Sequence, residues 1–428
     1  MATHLGSSSS RFQRLARRIA PLGGMLGLLA LALSVLAGCG GSSTGVQSGG
    51  TLVFGAPVSK TGSLSHEGTD TLNGYNLWAK TVNAKGGITI GGKSYQVSIK
   101  SYDDASDANK SKQLTTQLIT SDKVNFLLGP YGTTATLADE TVALQYKIPM
   151  VEGNGAATSI FSQGNSYLFG VLSTAPHYGQ TMIDAAASIT TNGPKTIAII
   201  NADDSFSADV AKAAVSYAPT KGFTVVKTIP YKNGSTDLSS VVNQLATADS
   251  GHAPDFVLGS GHEAEAIAAL KSAAQLGVKP KLWGFTVGPA LPDFITTLGA
   301  TANGVLGSSQ WTPQVKYQGA DMWGTAQAFE QAYKAEYNVE PSYQAAESAA
   351  CGVAYQFALH NADSTDPQKV RDALAALDVT TFYGQIKFAS DGSNQTKPMV
   401  TTQIQNGVLD TVYPSDVANG TIQYPGQA

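Results

Sequence analysis

The sequence predicts an α/β protein of two doubly wound lobes, and three observations predict it. Of its 428 residues, 42% are hydrophobic and only 14% charged, which suits a large buried core rather than a disordered chain. From Thr51 onward, short β-branched runs alternate with longer stretches of helical spacing across Gly- or Pro-containing turns, as in βαβ units with parallel sheets. One sheet of this length would be very large, whereas residues 51–170 and 195–308 each carry enough units for an open sheet of their own. Two lobes with a cleft follow.

The leader comes first. Arg11, Arg14, Arg17 and Arg18 precede an uncharged apolar stretch at 19–38, and residues 1–38 contain no Asp or Glu. That order is the charged region and apolar region of a secretory signal peptide. Hydropathy alone would also allow a single-pass anchor. Leu36-Ala37-Gly38-Cys39 decides between them, because it resembles the lipobox of bacterial lipoprotein signals, where cleavage precedes a cysteine that becomes lipid-modified. Cys39 is therefore the expected lipidation site, and residues 39–50, rich in Gly and Ser, form a flexible tether. The protein is expected to be exported and anchored to the cell membrane. Cys351, in an apolar run, reads as an inert buried thiol.

Strands are expected at 52–56, 95–102, 125–129, 149–152, 196–201, 223–229, 256–259 and 281–285. Helices are expected at 69–83, 108–120, 134–146, 178–190, 206–218, 238–248, 263–276 and 321–337, with an amphipathic one at 366–378. In such sheets ligands bind beyond the carboxyl ends of strands, so the loops that follow strands matter most.

Charge narrows the function. The formal net charge is −4, and removing the leader leaves 23 basic against 31 acidic residues, a net −8. Such a chain has no electrostatic footprint for nucleic acid. After Arg18 the only arginine is Arg371, inside the amphipathic stretch, so an arginine clamp on a carboxylate or phosphate is excluded by counting. Gly87 to Ser94 matches the phosphate-loop pattern GxxxxGK[ST], but a helix precedes it and an alternating strand follows, the reverse of the required order. Ile88 to Ile90 with Gly91-Gly92 reads instead as a hairpin arm and its turn. His66-Glu67 and His262-Glu263 begin like HExxH, yet neither has the second histidine, and no GxSxG elbow occurs. No metal, cofactor or catalytic residue is implied.

Three loops after strands remain. Gly129 to Thr136 sets Thr133 and Thr134 at a helix start, a neutral anion cradle or simply a helix cap. Glu152 to Thr158 contains Gly155, Ala156 and Ala157, small residues that leave the backbone approachable or turn tightly. Asp203 to Ser207 carries Phe206, an aromatic at a cleft-facing cap or a core staple.

At these loops the chain resembles type I periplasmic binding proteins, specifically the branched-chain amino acid (Leu/Ile/Val) binding family of ABC transporters. The resemblance spans about residues 50–410. It rests on Gly55-Ala56-Pro57 with Thr61-Gly62-Ser63, Asn73-Gly74, Val82 to Ile88, Tyr102-Asp103-Asp104, Gly129 to Thr133, Ile148 to Val151, Phe382 to Phe388 and Asp391-Gly392, in order and at family spacing. The family implies three crossovers between lobes, near 169–174, 308–312 and 383–387, hence lobes at 51–170 plus 313–383 and at 174–308 plus 388–425. It implies that Thr133 and the Gly155-Ala156-Ala157 backbone hold a ligand carboxylate and that Phe206 supplies an aromatic wall. The family's aromatic lid falls on Glu67, and its ammonium-binding acid falls near Thr286, both departures from the pattern. Glu67 or Glu263 would then have to supply the charge, or the ligand is not an amino acid. His262 completes the candidate set.

The expected function is a lipid-anchored solute-binding protein that delivers an amino acid or similar small carboxylate to an ABC permease. The alternative is a sensory lipoprotein for a small organic acid or amide that signals to a membrane receptor. An enzyme on the same fold would need a cleft acid/base pair, for which only Glu67, His66 and His262 are available.

Overall fold

The computed structural model describes residues 47–394 and 396–426, so Cys39, the signal peptide and most of the tether lie outside the described residues. The chain builds β1 (Gln47–Val58), α1 (Ser65–Ala84), β2 (Ile88–Ile90), β3 (Lys93–Asp103), α2 (Ala108–Thr120), β4 (Phe126–Leu128), α3 (Thr133–Tyr146), β5 (Met150–Glu152), α4 (Thr158–Phe161) and β6 (Leu168–Gly170). Their strands form one sheet in the order β2-β3-β1-β4-β5-β6. All pairs are parallel except β2 with β3. That exception is the hairpin read from Gly91-Gly92, whose φ values of +56° and +72° suit a tight two-residue turn.

The chain then makes α5 (Pro176–Ala187), β7 (Thr196–Ala202), α6 (Ser205–Tyr217), β8 (Thr224–Tyr231), α7 (Ser239–Leu245), β9 (Phe256–Ser260), α8 (Glu263–Leu276), β10 (Leu282–Phe285), α9 (Pro292–Leu298) and β11 (Leu306–Ser309). It returns through α10 (Ala326–Tyr337), α11 (Tyr343–Ala362), α12 (Pro367–Ala375), β12 (Asp378–Thr381) and β13 (Gly384–Lys387), and ends in β14 (Val400–Gln405) and β15 (Val408–Tyr413). The second sheet runs β15-β14-β11-β10-β9-β7-β8, parallel from β11 to β8 and antiparallel at the β14 and β15 edge. Each sheet reverses strand order beside its first strand, at β1 and at β7, where doubly wound folds open a crevice.

Helix α11 is the returning segment that closes the first lobe. Phe54 of β1 meets Trp78 of α1 edge-on at 5.0 Å and Tyr355 of α11 at 5.1 Å, and the Tyr355 hydroxyl reaches the carbonyls of Leu127 and Pro149. Aromatic area and a satisfied hydroxyl thus bind α11 to the sheet. In the second lobe Trp283 and Phe285 stack at 5.7 Å over a core of Ile200, Val257, Leu270 and Phe294.

Several expected bounds move, two of them for a visible reason. The helix expected from residue 321 begins only at Ala326, because Asp321 accepts N–H bonds from Trp323 and Gly324 and from Phe382, which fixes a turn in place of a first helical turn. The third passage between the sheets lies between β13 and β14, later than 383–387, because β12 and β13 pair with each other as a separate ribbon. The three passages are stitched together. The Ser173 N–H donates to Gln310 Oε1 at 3.0 Å, Gln310 Nε2 donates to the Ser173 carbonyl at 2.9 Å, and Lys397 donates to the Gln310 carbonyl.

Candidate functional site

Loops from both sheets surround a small cavity lined by Tyr131, Gly132, Thr133, Asn154, Ala156, Tyr178, Phe206, His262, Val287, Tyr343 and Glu347. Most of these follow the carboxyl ends of β4, β5, β7, β9 and β10, the place where backbone N–H groups and helix starts converge. The lobes meet across it. Tyr131 Oη lies 3.2 Å from His262 Nδ1, and the two rings meet edge-on at 5.8 Å. Phe206 is held by Tyr178 edge-on at 5.1 Å and by the His262 ring at 6.0 Å. Beside the cavity, the Thr158 N–H and hydroxyl both donate to Asp209 Oδ2, at 2.8 and 2.7 Å, and His66 Nδ1 lies 2.7 Å from Glu263 Oε2.

Thr133 begins α3 and is buried. Its Oγ1 accepts the Ala157 N–H at 3.2 Å, so the hydroxyl proton is left to donate elsewhere, and the side chain lines the cavity. Ala156 lines it as well. Gly155 and Ala157 do not, and this corrects the expected backbone cradle: the Gly155 N–H donates to Glu152 Oε2 at 2.6 Å and the Ala157 N–H is spent on Thr133. Glycine is needed at 155 for space, since a Cβ there would sit 2.7 Å from Thr136 Oγ1. Thr134 is exposed and off the cavity, because the second helical position turns outward from the one before it.

Phe206 and His262 line the cavity. Glu67 and Thr286 do not, and each has a physical reason. The Glu67 carboxylate accepts the Glu263 N–H at 3.3 Å, at the start of α8, where the helix dipole favours an acid. Burial nevertheless pushes its pKa up, with His262 opposing. Thr286 is spent on Gly261, donating to its carbonyl at 3.1 Å and accepting its N–H at 3.2 Å. Glu263 faces His66 and also misses the cavity; burial and then the Glu67 charge push its pKa up.

The carboxyl group that does line the cavity is Glu347 of α11, 1% exposed. Its Oε2 accepts from the Tyr383 hydroxyl at 3.2 Å, and burial, then the nearby Glu152, push its pKa well above the ordinary value. Glu152 itself is raised to about 8 by burial, although two backbone N–H bonds oppose the shift. Buried Lys397 is lowered to about 7 by desolvation. Tyr343 and Glu347 stand one turn apart on one face of α11, and an acidic residue within the Ala-rich run 345–354 was a signal open to sequence reading. Tyr131, Asn154, Tyr178 and Val287 carried no such signal, since only lobe closure brings them together.

A family model described as periplasmic binding protein matches residues 51–408. A Leu/Ile/Val-binding protein homolog from Brucella abortus is 27% identical over 384 residues, covering 87% of this chain and 92% of the relative. Two solved structures share the fold. The substrate-binding protein of a branched-chain amino acid transporter from Streptococcus pneumoniae, in complex with isoleucine, aligns at TM-score 0.72 and 23% identity, over 85% of this chain and 100% of its own. A solute-binding protein from Rhodopseudomonas palustris, in complex with benzoate, aligns at TM-score 0.69 and 20% identity, over 84% and 95%. With the matched model covering every residue that lines the cavity, this chain belongs to the periplasmic binding protein family, whose members bind solutes and are not enzymes.

Proposed function

We propose that this protein is the lipid-anchored solute-binding component of an ABC importer, taking an amino acid or similar small carboxylate between its two lobes. The supporting observation is the cavity that both lobes line, with a hydroxyl donor at Thr133 and the Glu347 carboxyl group among its lining. Neutral donors suit an anion here, because the only arginine among the described residues, Arg371, lies over the Tyr167 ring at 5.5 Å, away from the cavity. Lipid on Cys39 would hold the protein at the outer membrane surface beside its permease, and the tether would let both lobes turn toward it.

A thermal-shift screen of the chain lacking residues 1–50 tests the binding role, because a ligand selective for the folded state raises the melting temperature by mass action. Amino acids or small carboxylates should raise it. A chain that responds to none of them is not such a receptor. Uptake of the ligand lost on deletion in cells would separate import from the sensory alternative, in which signalling and not uptake is lost.

A further inference from the structure

Resting on the reading of this cavity as the ligand site, we propose that Glu347, with the Asn154 side-chain carbonyl beside it, forms a cation subsite that selects ligands bearing an ammonium group as well as a carboxylate. The subsite comes from α11 of the first lobe, not from the second-lobe position where the family resemblance puts an acid. That second-lobe position is Thr286, whose hydroxyl is consumed by Gly261.

Three observations carry the inference. Glu347 lines the cavity, is buried, and makes no ion pair among the described residues, its carboxylate's one hydrogen bond there being the one accepted from Tyr383. Asn154 Oδ1 is a buried acceptor with no partner among the described residues, while its Nδ2 is held by Ser348 Oγ at 2.9 Å. The nearest cation, Lys397, is turned away, donating to the carbonyls of Gln310 and Pro398 and lying 4.3 Å from the centre of the Tyr383 ring. A carboxylate with no ion pair and an amide oxygen with no partner thus line a cavity whose lining also includes the Thr133 hydroxyl donor. A zwitterion can meet both the donor and the acceptors, whereas a carboxylate alone leaves Glu347 and Asn154 without a cationic partner.

Calorimetric titration of paired ligands decides this: leucine against 4-methylpentanoate, and phenylalanine against 3-phenylpropanoate, which lack only the amine. The wild-type protein should prefer the amine-bearing member of whichever pair it binds by about 100-fold, the usual cost of unpairing a buried charged contact. Glu347→Gln should reduce that preference to within about threefold, while its unliganded melting temperature shows that it folds. Equal or tighter wild-type binding of the des-amino acid overturns the proposal and needs no variant; it would mean that Glu347 holds a proton and donates to a carboxylate. A preference unchanged in Glu347→Gln also overturns it. Wild-type protein that binds no member of either pair, nor any other small carboxylate, overturns the receptor reading itself.

Discussion

At Thr133 one oxygen does two jobs: it accepts the Ala157 N–H, which sets the loop after β5 against α3, and its proton is then free for a ligand. Thr133→Ala should therefore weaken ligand binding about 10- to 100-fold, the range for a hydrogen bond to a charged group. Thr134→Ala and Lys93→Ala, both at exposed positions off the cavity, should leave the titration unchanged. Glu152 makes a second prediction. Its folded pKa of about 8 exceeds the ordinary 4.5, so between those values the folded protein keeps a proton that the unfolded chain has released. This contribution is full below about 4.5 and disappears as pH rises through about 8, with a slope of up to about 1.4 kcal/mol per pH unit. Melting temperatures measured from pH 5 to 9 should fall with pH, and less steeply in Glu152→Gln.

Helix α11 shows how an element can be buried along most of its length and still specific. It crosses α1 so closely that a Cβ on Gly352 would lie 2.0 Å from the Trp78 ring, and one on Gly74 would lie 2.2 Å from the Ala345 carbonyl. Gly352→Ala should destabilise the fold by about 1–3 kcal/mol in urea denaturation, since the overpacked ring has no empty space to enter. Unchanged stability would mean that the two helices separate without penalty. Such an element is partly visible in sequence: the apolar run containing Cys351 can be read, and Cys351 is indeed buried and free. Its role as the wall that carries Tyr343 and Glu347 into the cleft cannot be read, because nothing local says which helix returns to the first sheet. Where local chemistry decided an element, reading and structure agree, as at α2 and α8, which start at an aspartate or histidine cap and end where expected.

Over the whole molecule the lobes are joined by three stitched passages and by two further contacts. Thr158 with Asp209, and His66 with Glu263, are not among the cavity lining, yet both link the lobes. Removing them in Asp209→Ala/Glu263→Gln should speed ligand release about 3- to 30-fold in stopped-flow measurements, with a smaller effect on association, because partly exposed pairs contribute modestly but only to the closed state. An unchanged release rate would show that the ligand alone holds the lobes together.

Hydrophobic periodicity, turn glycines and charge arithmetic by themselves determined the two-lobed parallel architecture and the hairpin inside the false phosphate loop, and they pointed to the loops after strands that carry Thr133, Ala156 and Phe206. These are properties of short segments, and short segments obey local rules of pleat, turn and cap. Tertiary structure decided the rest. It spent the Gly155 and Ala157 amides on Glu152 and Thr133, turned Thr134 outward, gave Glu67 to a helix start and Thr286 to Gly261, and brought Glu347 in from a segment nearly two hundred residues beyond Asn154. Whether a polar group is free for a ligand depends on every neighbour that competes for it, and those neighbours are assembled only when the chain closes on itself.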